Sequence, residues 1–106
     1  MSEMLILSSA DSMDAARGIA AALIDNHEAA CVSLIPGMSS VYRWEGKRCE
    51  ESETLLLVKT TADQFERVRA RIREMHTYQV PEVIAVPITS GDPDYLFWLR
   101  AQVRPA

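Results

Sequence analysis

The side chains with the most chemistry to offer are spread along the chain rather than gathered in one motif. His76 stands alone just past a helical stretch, where an imidazole serves either as a metal ligand or as a partner for the negative end of the helix. Lys59 closes an apolar run and Glu82 follows Pro81, so the two could pair with each other or contact a small anionic ligand. The other reading is an interfacial salt bridge beside aromatic packing, because aromatics are enriched at subunit interfaces. Cys31 and Cys49 lie far apart with no Cys-x-x-Cys pair, which indicates neither a disulfide framework nor a four-cysteine zinc site. Cys31 reads as a small buried hydrophobe in a strand and Cys49 as an exposed thiol near a turn. No nucleophile stands beside a base: Cys31, His27 and His76 are not arranged for it, so the chain reads as a binder and not an enzyme.

The remaining charged and aromatic groups have structural readings. Glu50, Glu51 and Glu53 alternate over two faces of a strand and suit a solvated edge better than a hard-cation site. Arg67, Arg69, Arg71 and Arg73 spread over more than one helix row, as a solvated face or a surface meeting an acidic neighbour would require. Met75 continues an apolar helical stripe and reads as core, and Trp98 reads as packing.

The elements that must position these groups follow from apolar patterning. Met4-Leu5-Ile6-Leu7 is a short buried-strand run, and Ser12 or Asp11 caps a helix whose apolar positions Ala16, Ile19, Ala20, Leu23 and Ile24 recur at helical spacing to about Asn26. A second strand starts near Cys31, is interrupted or bulged at Pro36-Gly37, and resumes to Trp44. Glu45-Gly46-Lys47 turns it back as a hairpin into Thr54 to Lys59. Thr61 to Gln64 has capping-box spacing before a helix with the stripe Phe65, Val68, Ile72 and Met75. Val83 to Ile88 is a strand with Pro87 favouring an edge, and Gly91-Asp92-Pro93 opens a third helix over Tyr95 to Val103. That order predicts an α+β, ferredoxin-like sandwich of the split βαβ kind, with a long second hairpin and an extra C-terminal helix. The second and fourth strands then lie at the sheet edges, which a closed homo-oligomer would cover.

At 106 residues and 48% hydrophobic, the chain suits one domain over 1–106 that folds without a structural metal. Its net charge of -4 argues against nucleic acid and anionic membrane as partners, and the aromatic and basic strand signature of RNA-binding modules is absent. No secretory leader or membrane-spanning run is visible, so a soluble cytoplasmic protein with no organic cofactor is expected.

Seven segments in order, Ala29-Ala30-Cys31-Val32, Ile35-Pro36-Gly37, Ser40-Val41-Tyr42, Trp44-Glu45-Gly46-Lys47, Leu57-Val58-Lys59-Thr60-Thr61, Tyr78-Gln79-Val80-Pro81-Glu82 and Asp94-Tyr95-Leu96-Phe97-Trp98-Leu99, resemble the CutA family of divalent-cation tolerance proteins. The resemblance covers nearly the whole chain. It implies a ferredoxin-like fold, a tight PII-like homotrimer made by edge-strand pairing, and a link to copper and other divalent cations. It also places Cys31, Tyr42, Trp44, Lys59, Tyr78 and Glu82 at a cleft between subunits. The family's copper ligands, a cysteine ending the first strand and two consecutive histidines after the second helix, fall on Ser8, Met75 and His76. Met75 offers a thioether acceptable to reduced copper, but the thiolate is lost at Ser8, so metal binding is expected to be weak or altered. Thr77 replaces the family's proline after the histidine. The implied function is a non-enzymatic homotrimer in divalent metal tolerance or response; the alternative is a PII-like module holding a small anion in the intersubunit cleft.

Overall fold

The first strand, β1, runs over Glu3–Ala10 and so exceeds the apolar run that announces it. Ser8, Ser9 and Ala10 read as the start of a polar loop, yet they stay extended because they pair with Leu56, Leu55 and Thr54 of the third strand. The computed structural model describes residues 2–104, so the ends of the 1–106 domain reading at Met1, Pro105 and Ala106 lie outside the described residues. Helix α1, Met13–Asp25, is capped by Ser12, whose hydroxyl accepts the Ala15 N–H at 3.1 Å. It buries Ala16, Ile19 and Leu23.

Strands β2, Cys31–Trp44, and β3, Lys47–Thr61, form one long antiparallel hairpin. Its turn is Glu45-Gly46, with φ of 51° and 79°, a pair of left-handed residues whose twist matches the flanking strands. The predicted capping box after β3 does not form. The Thr61 hydroxyl donates instead to Asp63, and Gln64 is buried with its amide donating to the Arg104 carbonyl, so a single 3-10 turn over Ala62–Gln64 leads into helix α2, Phe65–Met75. Val68 and Ile72 of α2 are buried, but Met75 in its last turn overruns the core and is exposed, contrary to the stripe reading. Cys31 and Cys49 are both half-buried rather than one inside and one outside. Strand β4, Ile84–Pro87, pairs only with Met4 to Leu7, and helix α3, Pro93–Gln102, starts behind Asp92, whose carboxylate accepts the Tyr95 N–H at 3.1 Å.

The strands lie in the order β2-β3-β1-β4, all neighbours antiparallel, which is the ferredoxin-like arrangement with β2 and β4 at the edges. Helices α1 and α2 cover one face. There Ile6, Leu56 and Val58 meet Leu23, Val68 and Ile72, all with no exposed surface. The alternate residues Leu5, Leu7, Leu55 and Leu57 point to the opposite face and are only half-buried, while Ile35, Ile84 and Val86 on that face are exposed. Only its end near Glu3 is met by α3, where Arg100 pairs with Glu3 at 3.0 Å and Lys59 sits 5.8 Å above the Tyr95 ring.

One irregularity sets which residues reach that open face. Ile35 pairs with Leu55, and the next registered pair is Met38 with Glu53, so three steps on β2 oppose two on β3. The extra residue falls at Pro36-Gly37, where Gly37 takes φ of 77°. Side chains alternate strictly along a strand, so a one-residue slip exchanges the faces. Before the bulge Cys31, Ser33 and Ile35 share the open face with Lys59, Leu57 and Leu55; beyond it Ser40, Tyr42 and Trp44 share it with Glu51, Cys49 and Lys47.

Candidate functional site

The bulge delivers Tyr42 and Trp44 to a corner of the sheet where β1 has ended. Strand β1 accompanies β3 only as far as Thr54, and β4 accompanies β1 only as far as Leu7. The segment between α2 and β4 fills the corner left open. His76 provides the hinge: its Nδ1 accepts the Tyr78 N–H at 3.0 Å, which leaves Nε2 as the donor to the Ser9 carbonyl. That carbonyl lies beyond the β4 ladder, so the imidazole takes the place of a missing strand partner. The His76 and Tyr78 rings lie with centroids 4.5 Å apart.

From this hinge the Tyr78 phenol reaches Glu53 and donates to Oε2 at 2.7 Å, while the Ser9 hydroxyl donates to the same oxygen at 3.1 Å. Glu53 is 8% exposed, and a carboxylate so covered needs donors around it. Burial pushes its pKa up, but hydrogen bonds from Ser40, Tyr78 and Ser9 outweigh burial and leave it below its ordinary value. Tyr78 moves the opposite way. Burial first, then the hydrogen bond and the negative charge of Glu53, push its phenol far up, so it remains a donor. Tyr42 is also raised, by desolvation and then by the charges of Glu51, Cys49 and Glu53.

Around this carboxylate opens a groove of about 580 Å³. Tyr42, Trp44 and Tyr78 supply its aromatic walls, Val41 and Val80 its aliphatic ones, and Glu82 a second carboxylate. Among the described residues no lysine or arginine lines it. Glu82 is exposed and makes no hydrogen bond or ion pair among the described residues.

Of the six residues expected at a cleft, the fold brings four together in one chain: Tyr42, Trp44, Tyr78 and Glu82. Cys31 and Lys59 are register partners at the other end of the hairpin, beyond the bulge, with Lys59 over Tyr95. The Lys59 to Glu82 ion pair is absent among the described residues. Glu53, Ser9 and Ser40 belong to the site and were not anticipated. Glu53 is not the solvated edge residue its neighbours Glu50 and Glu51 suggest. The one signal that pointed to it was the Pro36-Gly37 bulge, directly across the hairpin.

The positions aligned with a copper site do not assemble as a donor set within the chain. Ser8 belongs to the helix-covered face, fully buried, and its hydroxyl has no hydrogen-bond partner among the described residues. Both nitrogens of His76 are engaged, and Met75 is exposed. No group of three or more His, Cys, Asp or Glu side chains among the described residues could hold a metal ion. Two of the arginines of α2 have acidic partners: Arg71 grips the buried Glu28 through two 3.1 Å bonds, and Arg69 meets Glu66. No helix among the described residues is long and apolar enough to cross a membrane.

Set against known proteins, residues 4–102 match the family described as CutA1 divalent ion tolerance protein. A divalent-cation tolerance protein CutA of Thermus thermophilus is 46% identical over 98 residues, which span 92% of this chain and 95% of that one. Among solved structures, a divalent cation tolerance protein of Thermus thermophilus superposes with a TM-score of 0.94 at 44% identity, covering 96% of this chain and 99% of that one. A CutA1 of Oryza sativa superposes with a TM-score of 0.97 at 35% identity, covering 100% and 97%.

Proposed function

The chain belongs to the CutA1 divalent ion tolerance family, and from that premise we propose that it serves divalent-cation tolerance or response, copper foremost, as a non-enzymatic homotrimer whose own metal binding is weak or altered. The observation that carries the weak-binding part is the engagement of His76. A histidine that accepts one backbone hydrogen bond and donates another must give up at least one of them to ligate a metal. Ser8 adds a neutral hydroxyl where a thiolate would bind soft metal, and its core-facing position keeps it from the surface. Glu53 is committed to three hydroxyl donors, which suits a fixed charge better than a proton-transfer group.

Assembly into a trimer of the PII-like kind is supported by the open apolar sheet face, by the two free edges and by the arm-like hairpin that extends beyond β1. The anion-binding alternative draws less support, because the groove's formal charges are both negative and Lys59 lies elsewhere in the chain. Across a subunit boundary Lys59 could still face a neighbour's groove.

Calorimetric titration of the reduced protein with Cu(I), Cu(II) and Zn(II) tests the metal reading. Weak, saturable binding that falls further in His76→Ala is expected. Tight binding that survives His76→Ala would show that metal is held elsewhere, and no binding at all would remove the direct-ligand role.

A further inference from the structure

We propose that the stretch leaving α3, residues 102–104, is a strap that closes over the end of α1, fixes the left-handed corner at His27, and opens locally while the rest of the protein stays folded. Helix α3 ends at Gln102, and Val103 takes an extended conformation, φ -101° and ψ 136°, that carries the chain to the end of α1. There the Arg104 N–H donates to the His27 carbonyl at 2.9 Å, its guanidinium donates to the Asn26 carbonyl, and its own carbonyl accepts from the Gln64 side-chain amide. The Gln102 carbonyl lies 3.4 Å from His27 Nδ1, within reach of a ring N–H. All of these contacts belong to one chain, and their partners are the end of α1 and the 3-10 turn, not the open sheet face or the hairpin arm.

Helix α1 lacks what the strap supplies. Its last turn, Ala22 to Asp25, has no cation to offset the negative end of the helix dipole, and Asp25 adds to that charge. The carbonyls of Ala22, Leu23 and Ile24 accept the N–H groups of Asn26, Glu28 and His27, and those of Asn26 and His27 are taken by Arg104. His27 sits at φ of 56°, uncommon for any residue but glycine and kept only where the surroundings impose it. On its far side Glu28 is anchored independently, its carboxylate by Arg71 and its carbonyl by the Thr60 hydroxyl at 2.7 Å. The peptide between His27 and Glu28 is therefore the part that the strap alone holds. Little apolar surface holds the strap down in turn, since Gln102 and Arg104 are exposed and Val103 is half-buried. Beneath it Gln64 is fully buried, with Oε1 lacking a partner among the described residues, so closure leaves an acceptor that water would satisfy on opening. The bonds to Arg104 favour closure; the left-handed residue and the orphan acceptor favour opening.

Amide hydrogen exchange of the assembled wild-type protein, followed by NMR, tests the strap. Corrected for intrinsic rates, the amides of Arg104, His27 and Glu28 are expected to exchange through one shared opening, about tenfold or more faster than those of Leu56 and Val58 in the sheet. Arg104→Ala should accelerate His27 and Glu28 several-fold and leave Leu56 and Val58 unchanged, with Arg104→Lys, which keeps a cation at the end of α1, falling between. In a His27→Gly background the left-handed corner no longer depends on the strap, so Arg104→Ala should there leave the Glu28 amide unaffected. Exchange of the three amides only together with the sheet core, or at three unrelated rates, would overturn the proposal. So would Glu28 protection indifferent to Arg104→Ala in the wild-type background or equally sensitive to it in His27→Gly, or a loss of protection that spreads to Leu56 and Val58.

Discussion

The two faces of the one sheet are almost equally apolar in sequence and differ completely in cover. Along β3, Leu56 and Val58 point to the helices and lose all exposure, whereas Leu55 and Leu57, between and beside them, point to the open side and remain half-buried. A strand with apolar residues on both faces is the pattern of a sheet covered on both sides. Helices α1 and α2 cover one side, and α3 reaches only the end of the other near Glu3. The difference leaves one half of this sheet without cover from its own chain. In the proposed trimer two further copies cover it.

The comparison breaks most sharply by truncating neighbours on opposite faces. Leu56→Ala should cost about 2–5 kcal/mol, the usual penalty for emptying a fully buried leucine site, at any protein concentration. Leu57→Ala should cost stability that varies with protein concentration, because in the proposed trimer its surface is covered only on assembly. Urea unfolding of both at two protein concentrations separates them. Equal, concentration-independent losses would mean that the open face is finished within one chain. Next in size, Ile84→Lys places a charge on the open edge strand and should yield monomers with an unchanged circular dichroism spectrum, read by size-exclusion chromatography with light scattering.

The groove sharpens the comparison at its boundary. Glu53→Gln keeps the shape, removes a charge held by three hydroxyls, and should cost about 1–3 kcal/mol near neutral pH. Because the folded pKa lies below the ordinary 4.5, the wild-type carboxylate contributes stability above that value and loses it as pH falls through the folded pKa. Melting curves of wild type and Glu53→Gln should therefore be fully separated above about pH 4.5 and converge as pH falls from there through the lower folded pKa. Smallest is Gly37→Ala, which forces a side chain into the left-handed region at the bulge and should cost about 1–2 kcal/mol in thermal or chemical unfolding.

Much of this architecture is legible in the chain because local signals agree with the fold. Ser12 caps α1, Asp92-Pro93 opens α3, Glu45-Gly46 turns the hairpin and Pro87 lies on an edge, each for a reason contained in a few residues. The capping box at Thr61 failed because Gln64 is drawn inward to the Arg104 carbonyl, a partner forty residues away that no local pattern announces. The bulge at Pro36-Gly37 could be read, but not its consequence: which face Tyr42 and Trp44 take depends on the register of β3. Glu53 was hidden for the same reason, since its cover comes from Tyr78 and Ser9, brought to it only when the segment after α2 closes the corner of the sheet. Lys59 and Glu82, linked in sequence by their chemistry, are parted by the length of the hairpin, and only an assembly could reunite them.

The central claim, that the open face of the sheet is an interface between copies, is tested most directly by sedimentation velocity of the wild-type protein over a wide range of concentrations. The account predicts one dominant species of three chains that persists on dilution. A dominant monomer at all concentrations would contradict it.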